Sequence, residues 1–178
     1  MRYLYCWLTI FLFLPLIVQG QSFTKDKSLE VDLGLGYLDL LHLGMKYRLS
    51  QNSQIGMSYG GVLLTNTSRK QSTVTLEHLY HFGRKGSNTS LPLYYFSQKL
   101  SYVTDNRNAT STNLYYLTGS IGKSFYANGP FGVNLDIGLM VKLHDETVID
   151  PTTPDEIHRP NYPPVFPAFR FQFFFDFK

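Results

Sequence analysis

The C-terminal run Ala168-Phe169-Arg170-Phe171-Gln172-Phe173-Phe174-Phe175-Asp176-Phe177-Lys178 constrains this chain more than any other stretch. Phe stands at every odd position from 169 to 177, while Arg170, Gln172, Phe174 and Asp176 fill the even ones. Side chains alternate faces along a strand, so the run has one aromatic face and one mostly polar, charged face. Two surroundings bury such an aromatic face. One is a second protein layer. The other is the hydrocarbon of a bilayer, which accepts strands only when they close into a barrel with no unpaired edge.

The same alternation recurs upstream. Leu29, Val31, Leu33, Leu35 and Tyr37 oppose Glu30, Asp32, Gly34 and Gly36. Leu43, Met45, Tyr47 and Leu49 oppose Gly44, Lys46 and Arg48; Ile55, Met57 and Tyr59 oppose Gly56, Ser58 and Gly60. Val74, Leu76, Tyr80 and Phe82 oppose Thr73, Thr75, Glu77 and His81, with His78 falling on the apolar side. Tyr94, Phe96, Leu100 and Tyr102 face away from Tyr95, Ser97, Lys99 and Ser101. Tyr115, Leu117 and Ile121 oppose Tyr116, Thr118 and Ser120, and Phe131 to His144 alternates throughout. With the last run this predicts eight strands, and no segment carries a helical period. Polar, turn-forming stretches at 50–54, 83–90 and 127–130 interleave with 38–42, 64–71, 104–112 and the Pro-rich 145–164. Outer-membrane barrels have short turns at one end and longer loops at the other, and the spacing follows that trend.

The front of the chain reads as an address. Met1-Arg2 is followed by an apolar run from Tyr3 to Val18 and then Gln19-Gly20, the layout of a secretory signal peptide cut after Gly20. The run is short for a spanning helix, which needs about 20 residues. The predicted organisation is a signal peptide over 1–20 and one barrel domain over 21–178. Cys6 lies inside the signal, so the remainder carries no cysteine for a disulfide, a thiol nucleophile or a Cys-based metal site. The formal charge of +3 becomes +2 without Arg2, too small and too scattered to predict nucleic acid as a partner. Mean hydropathy near −0.13 fits a barrel, which hides its membrane face in alternation.

If the apolar faces touch lipid, the other faces fill the lumen. They bring together Glu30, Asp32, Glu77, Asp136 and Asp176 with Lys46, Arg48, Lys99, Lys142 and Arg170, five of each sign. An eight-stranded barrel is just wide enough for side chains to fill it. The expectation is a paired polar network, because an unpaired charge there is very costly. A narrow ion path is the functional alternative.

Other candidates are weaker. His144, Asp145 and Glu146 fall at the predicted outer rim and His158 in the long loop, where a His beside carboxylates suits general-base chemistry. Eight-stranded lipid A deacylases carry a His-x-Ser pair on one strand. None of the five histidines here is followed by that pattern. Asp145, Glu146, Asp150, Asp155 and Glu156 match no cation-ligand loop, and no cofactor or metal is predicted. The Asn-x-Ser/Thr sequons at Asn66, Asn88 and Asn108 arise readily in polar loops and receive no function.

The stretch Gly34 to Gly60, GLGYLDLLHLGMKYRLSQNSQIGMSYG, together with Leu79-Tyr80-His81-Phe82-Gly83, resembles small outer-membrane β-barrel proteins of Bacteroidota-type bacteria. By strand count the chain also resembles OmpX/OmpA-type barrels. The resemblance implies place and fold, and the group has no established activity to carry over. The combined expectation is an all-β, eight-stranded antiparallel up-and-down transmembrane barrel in a bacterial outer membrane. It is monomeric, contacts outer-membrane lipids and lipopolysaccharide, is inserted by the barrel-assembly machinery, and has a structural, surface-interaction or narrow-pore role. The rivals are a lipid A acyl hydrolase or transferase and a soluble lipocalin-like carrier with its apolar face inside.

Overall fold

The computed structural model describes residues 28–37, 40–61, 69–86, 91–107, 110–127, 129–149 and 162–177. The predicted signal peptide, the three sequons and His158 lie outside them. The described chain forms strands β1 (Leu29–Gly36), β2 (Leu40–Arg48), β3 (Ser53–Gly61), β4 (Arg69–Lys85), β5 (Pro92–Arg107), β6 (Thr110–Tyr126), β7 (Phe131–Ile149) and β8 (Val165–Phe177). Each pairs antiparallel with its sequence neighbour, and β8 pairs with β1 to close the barrel. The expected all-β, eight-stranded antiparallel architecture is the one observed.

The register fixes the shape. Followed around the barrel, Leu29 leads through Tyr47, Ile55, His78, Gln98, Gly119 and Leu139 to Pro167. The direct β8 partner of Leu29 is Phe177, ten positions further on. A shear of ten over eight strands tilts them by about 40° and sets a backbone radius of about 8 Å. Each residue along a strand then climbs about 2.5 Å, and each step to the next strand about 3 Å.

The faces follow the period of two. Leu43, Met57, Tyr59, Ile121, Ile137, Phe169 and Phe173 stand on the outer surface, and Ile137 is 69% exposed. Arg170 is 3% exposed and Lys46 1%. From Phe82, Phe125 and Phe131 near one end to Tyr102 and Tyr115 towards the other, the exposed apolar residues form a belt about 25 Å tall. Its lower margin is aromatic, with Phe131 on Phe175 at 4.7 Å and Phe175 on Phe177 at 4.5 Å between ring centroids. A lipocalin-like inversion, with this aromatic face inside, does not describe the molecule.

The ends of the strands depart from the sequence reading. The predicted loop 104–112 is a hairpin in which β5 continues to Arg107 and β6 begins at Thr110. The predicted loops at 38–42, 64–71 and 145–164 give up residues to β2, β4 and β7, and β4 runs on to Lys85 past a bulge at Gly83. The reason is cross-strand bonding between polar side chains. Ser111 Oγ donates to Asn106 Oδ1 at 2.6 Å, Tyr102 OH to Asn113 Oδ1 at 3.0 Å, and the Thr112 and Thr147 hydroxyls meet at 3.2 Å. Turn-like composition therefore continues the ladder. As a result β4–β7 stand as a wall that rises above the rim at β1–β3 by about 10 Å at β4 and about 20 Å at β7. Along β7, residues beyond Lys142 pair only with β6.

Two inward glycines are required by their neighbours. A Cβ at Gly122 would run into the ring of Tyr95, and one at Gly132 into the ring of Phe174. Gly122→Val is expected to destabilise the barrel by about 1–3 kcal/mol through overpacking. Urea unfolding in lipid vesicles measures this, and an unchanged midpoint would mean that Tyr95 has room to move.

Candidate functional site: the lumen

The lumen is built in three layers. Nearest the termini, Leu79 and Leu91 are buried beside His81. The His81 ring lies 3.0 Å from the Pro92 carbonyl through Nδ1 and 2.9 Å from the Gln54 carboxamide through Nε2. The carbonyl accepts only, so Nδ1 carries a proton. Tyr126 packs edge-on against Phe174 at 5.0 Å, and Arg48 Nη2 lies 3.8 Å from Asp176 Oδ2.

The middle layer is ionic. Lys46 Nζ is 2.7 Å from Glu30 Oε1, 2.9 Å from Asp32 Oδ2 and 3.9 Å from Glu77 Oε1. Arg170 Nη2 is 2.6 Å from Glu77 Oε2, and its Nε is 3.1 Å from Asp136 Oδ2. Lys99 Nζ lies 2.9 Å from Asp136 Oδ1. The charges thus form one connected chain from Glu30 and Asp32 through Lys46, Glu77, Arg170 and Asp136 to Lys99. Neutral groups complete it. Gln172 Nε2 donates to Asp32 Oδ1 at 2.7 Å and lies 2.9 Å from His42 Nε2, while Lys46 donates to Gln172 Oε1 at 3.4 Å. Asn134 Nδ2 reaches Glu30 Oε1 at 3.5 Å, and Asn134 Oδ1 accepts from Ser124 Oγ at 2.7 Å. Tyr95 OH donates to Asp136 Oδ2 at 3.4 Å.

The third layer is an apolar cap. Val103, Leu114, Tyr116, Met140 and Ala168 are buried together inside the barrel, with Tyr162 and Phe166 packed on them. Tyr162 OH donates to Asp105 across the top. Between cap and charges lies a small pocket bordered by Tyr37, Lys99, Ser101, Asp136, Met140 and Arg170, with room for ordered water. Among the described residues, buried side chains occupy the lumen in all three layers.

Of the ten charged positions singled out in the sequence, nine are buried in the lumen: Glu30, Asp32, Lys46, Arg48, Glu77, Lys99, Asp136, Arg170 and Asp176. Lys142 stands apart. It lies on the wall above the level where β1 still closes the cylinder, and its Nζ pairs with Asp145 Oδ2 at 2.9 Å. Five carboxylates and four basic residues of that set therefore remain inside. Gln172, His42 and Tyr95 join the network without having been singled out. Each sits at inward parity, but each is neutral or aromatic, so a count of charges passes over it. His144 is turned outward by a bulge in which Tyr115 pairs with His144 and Tyr116 with Lys142, skipping Leu143. Its ring faces Tyr115 at 6.2 Å on the outside of the wall.

The sequence matches no protein-family model and no curated protein. Among solved structures, the chain is similar to a major outer membrane protein from Thermus thermophilus, with a TM-score of 0.51 and 13% identity over 85% of this chain and 100% of that one. It is also similar to the N-terminal β-barrel domain of Pseudomonas aeruginosa OprF, with a TM-score of 0.49 and 13% identity over 85% and 96%. At this identity the likeness to the Thermus protein is one of fold.

Proposed function

We propose that the chain is a bacterial outer-membrane barrel with a structural and surface-display role. The observation that carries this reading is the pairing of an apolar outer belt about 25 Å tall with an ion-paired interior. A soluble protein has no use for so continuous an apolar exterior, and a wide pore has no use for an interior crossed by ion pairs. The end bearing Ser28 and Phe177 then faces the periplasm, and the end where β4–β7 run on beyond the belt, joined to β8 by the longest connection, 150–164, faces outside. The wall of β4–β7 stands outside and offers its polar hairpins for contact. In this reading the belt meets outer-membrane lipid, lipopolysaccharide surrounds the base of the wall, and the barrel-assembly machinery inserts the chain. Catalysis has no part in it: His144 is splayed outward, and Asp145 is engaged by Lys142.

The test has two parts. The protein is expected to fractionate with outer membranes and to migrate faster on gels when unheated than when boiled. Incorporated into planar bilayers, it is expected to be silent. Stepwise single-channel currents would remove the closed-lumen reading, and recovery in the soluble fraction would remove the membrane reading.

A further inference from the structure

His78, Gln98 and Gly119 are direct register partners on β4, β5 and β6. All three lie on the outward parity, among exposed Leu76, Tyr80, Leu100 and Ile121. By the tilt of the barrel, Gln98 stands about 12 Å above Leu29, near the mid-depth of the belt. His78 is partly satisfied, with Nε2 2.8 Å from Ser53 Oγ. The Gln98 carboxamide has no side-chain hydrogen bond among the described residues. A carboxamide left unbonded in hydrocarbon is costly, and at mid-depth neither water nor lipid headgroups reach it. Only another protein surface supplies partners there.

Gly119 is the second observation. Gly122 and Gly132 are held to glycine by rings inside the barrel. A Cβ at Gly119 meets nothing nearer than Phe96 Cζ at 3.9 Å. Internal packing does not ask for glycine at this position, and a strand disfavours it. Its effect is on the outside, where it leaves a notch beside Gln98. Small residues at membrane interfaces let neighbouring segments approach closely.

We propose that the His78–Gln98–Gly119 row is the contact of a homodimer within the membrane, with a twofold axis along the membrane normal passing between two Gln98 side chains. A primary amide is both donor and acceptor, so a twofold pair forms two reciprocal N–H···O=C bonds without help from any other chain. The same axis sets β4 of one copy against β6 of the other, which brings a side chain towards the Gly119 notch. The proposal puts a pair in place of the expected monomer. The inference rests on the membrane placement proposed above.

The test is a single cysteine beside the axis in a chain that keeps Gln98. In a Cys6→Ser background, Leu100→Cys in lipid vesicles is expected to yield a cross-linked dimer with a short bifunctional thiol reagent, and Leu33→Cys on the opposite side of the barrel is expected to yield little. Energy transfer between labelled copies should report association at least tenfold weaker for Gln98→Leu than for the native chain, with Gln98→Asn retaining most of it. Equal cross-linking at positions 33 and 100, or a Gln98→Leu chain that associates as well as the native one, would overturn the proposal. So would cross-linking of position 100 to a different membrane protein with no self-pairing. A chain that inserts, shows the heat-shifted band and stays monomeric sinks the dimer alone. A chain that does not insert sinks the membrane reading instead.

Discussion

Lys46→Met is expected to cost about 3–5 kcal/mol of unfolding free energy, the cost of removing one partner from a buried ion pair. Lys46 touches three carboxylates, and its side chain is fully buried. Met conserves the volume, so the loss is electrostatic rather than a cavity. Glu30 and Asp32 are left close together with Asn134 and Gln172 as neutral donors. The effect is read as a shift of the urea midpoint in vesicles with an unchanged slope. Neutralising one acid in the same chain, as Lys46→Met with Asp32→Asn, is expected to return part of the loss. A single variant as stable as the native chain would mean that water already screens this layer.

Ile137→Arg tests the opposite surface, and its cost differs between the two possible surroundings. Ile137 is 69% exposed on β7, about 14 Å above Leu29 and close to mid-belt. In water such a substitution changes stability by about 0.5 kcal/mol or less. On the lipid face of a barrel at mid-depth, Arg costs about 2–4 kcal/mol. Val148→Arg, on the wall and also exposed, is expected to cost almost nothing. Unfolding free energies of the two variants in vesicles separate the cases. Equal and negligible costs would mean that the belt does not meet hydrocarbon.

The faces of the strands were legible because they depend only on a period of two. Phe169, Arg170, Phe173 and Asp176 could be sorted by parity alone, and Phe169 and Phe173 are exposed while Arg170 and Asp176 are buried. Height was not legible, because it depends on shear and on where neighbouring strands stop. Lys142 has inward parity yet stands above the rim of β1, so it meets Asp145 rather than the network. Strand ends were illegible for a related reason. Thr104 to Thr112 has the composition of a loop, and only a second polar strand beside it turns those groups into ladder partners. The apolar cap was also hidden. Val103, Leu114 and Met140 suit lipid by their chemistry, and nothing in the chain order says that they meet. They are sealed inside because the register sets Val103 directly against Leu114 and gathers Met140 to the same level.

His78 was visible in the sequence as a polar residue on an apolar face. Its alignment with Gln98 and Gly119 required the register.

The side of the pleat that meets hydrocarbon decides between a membrane barrel and a soluble one. Spin labels on Leu135→Cys, Ile137→Cys and Leu139→Cys, each in a Cys6→Ser background in bilayers, measure this through collisions with oxygen and with a water-soluble nickel complex. Oxygen is expected to dominate at all three sites, most strongly at 137. Free access of the nickel complex along the whole series would place the greasy face in water and contradict the account.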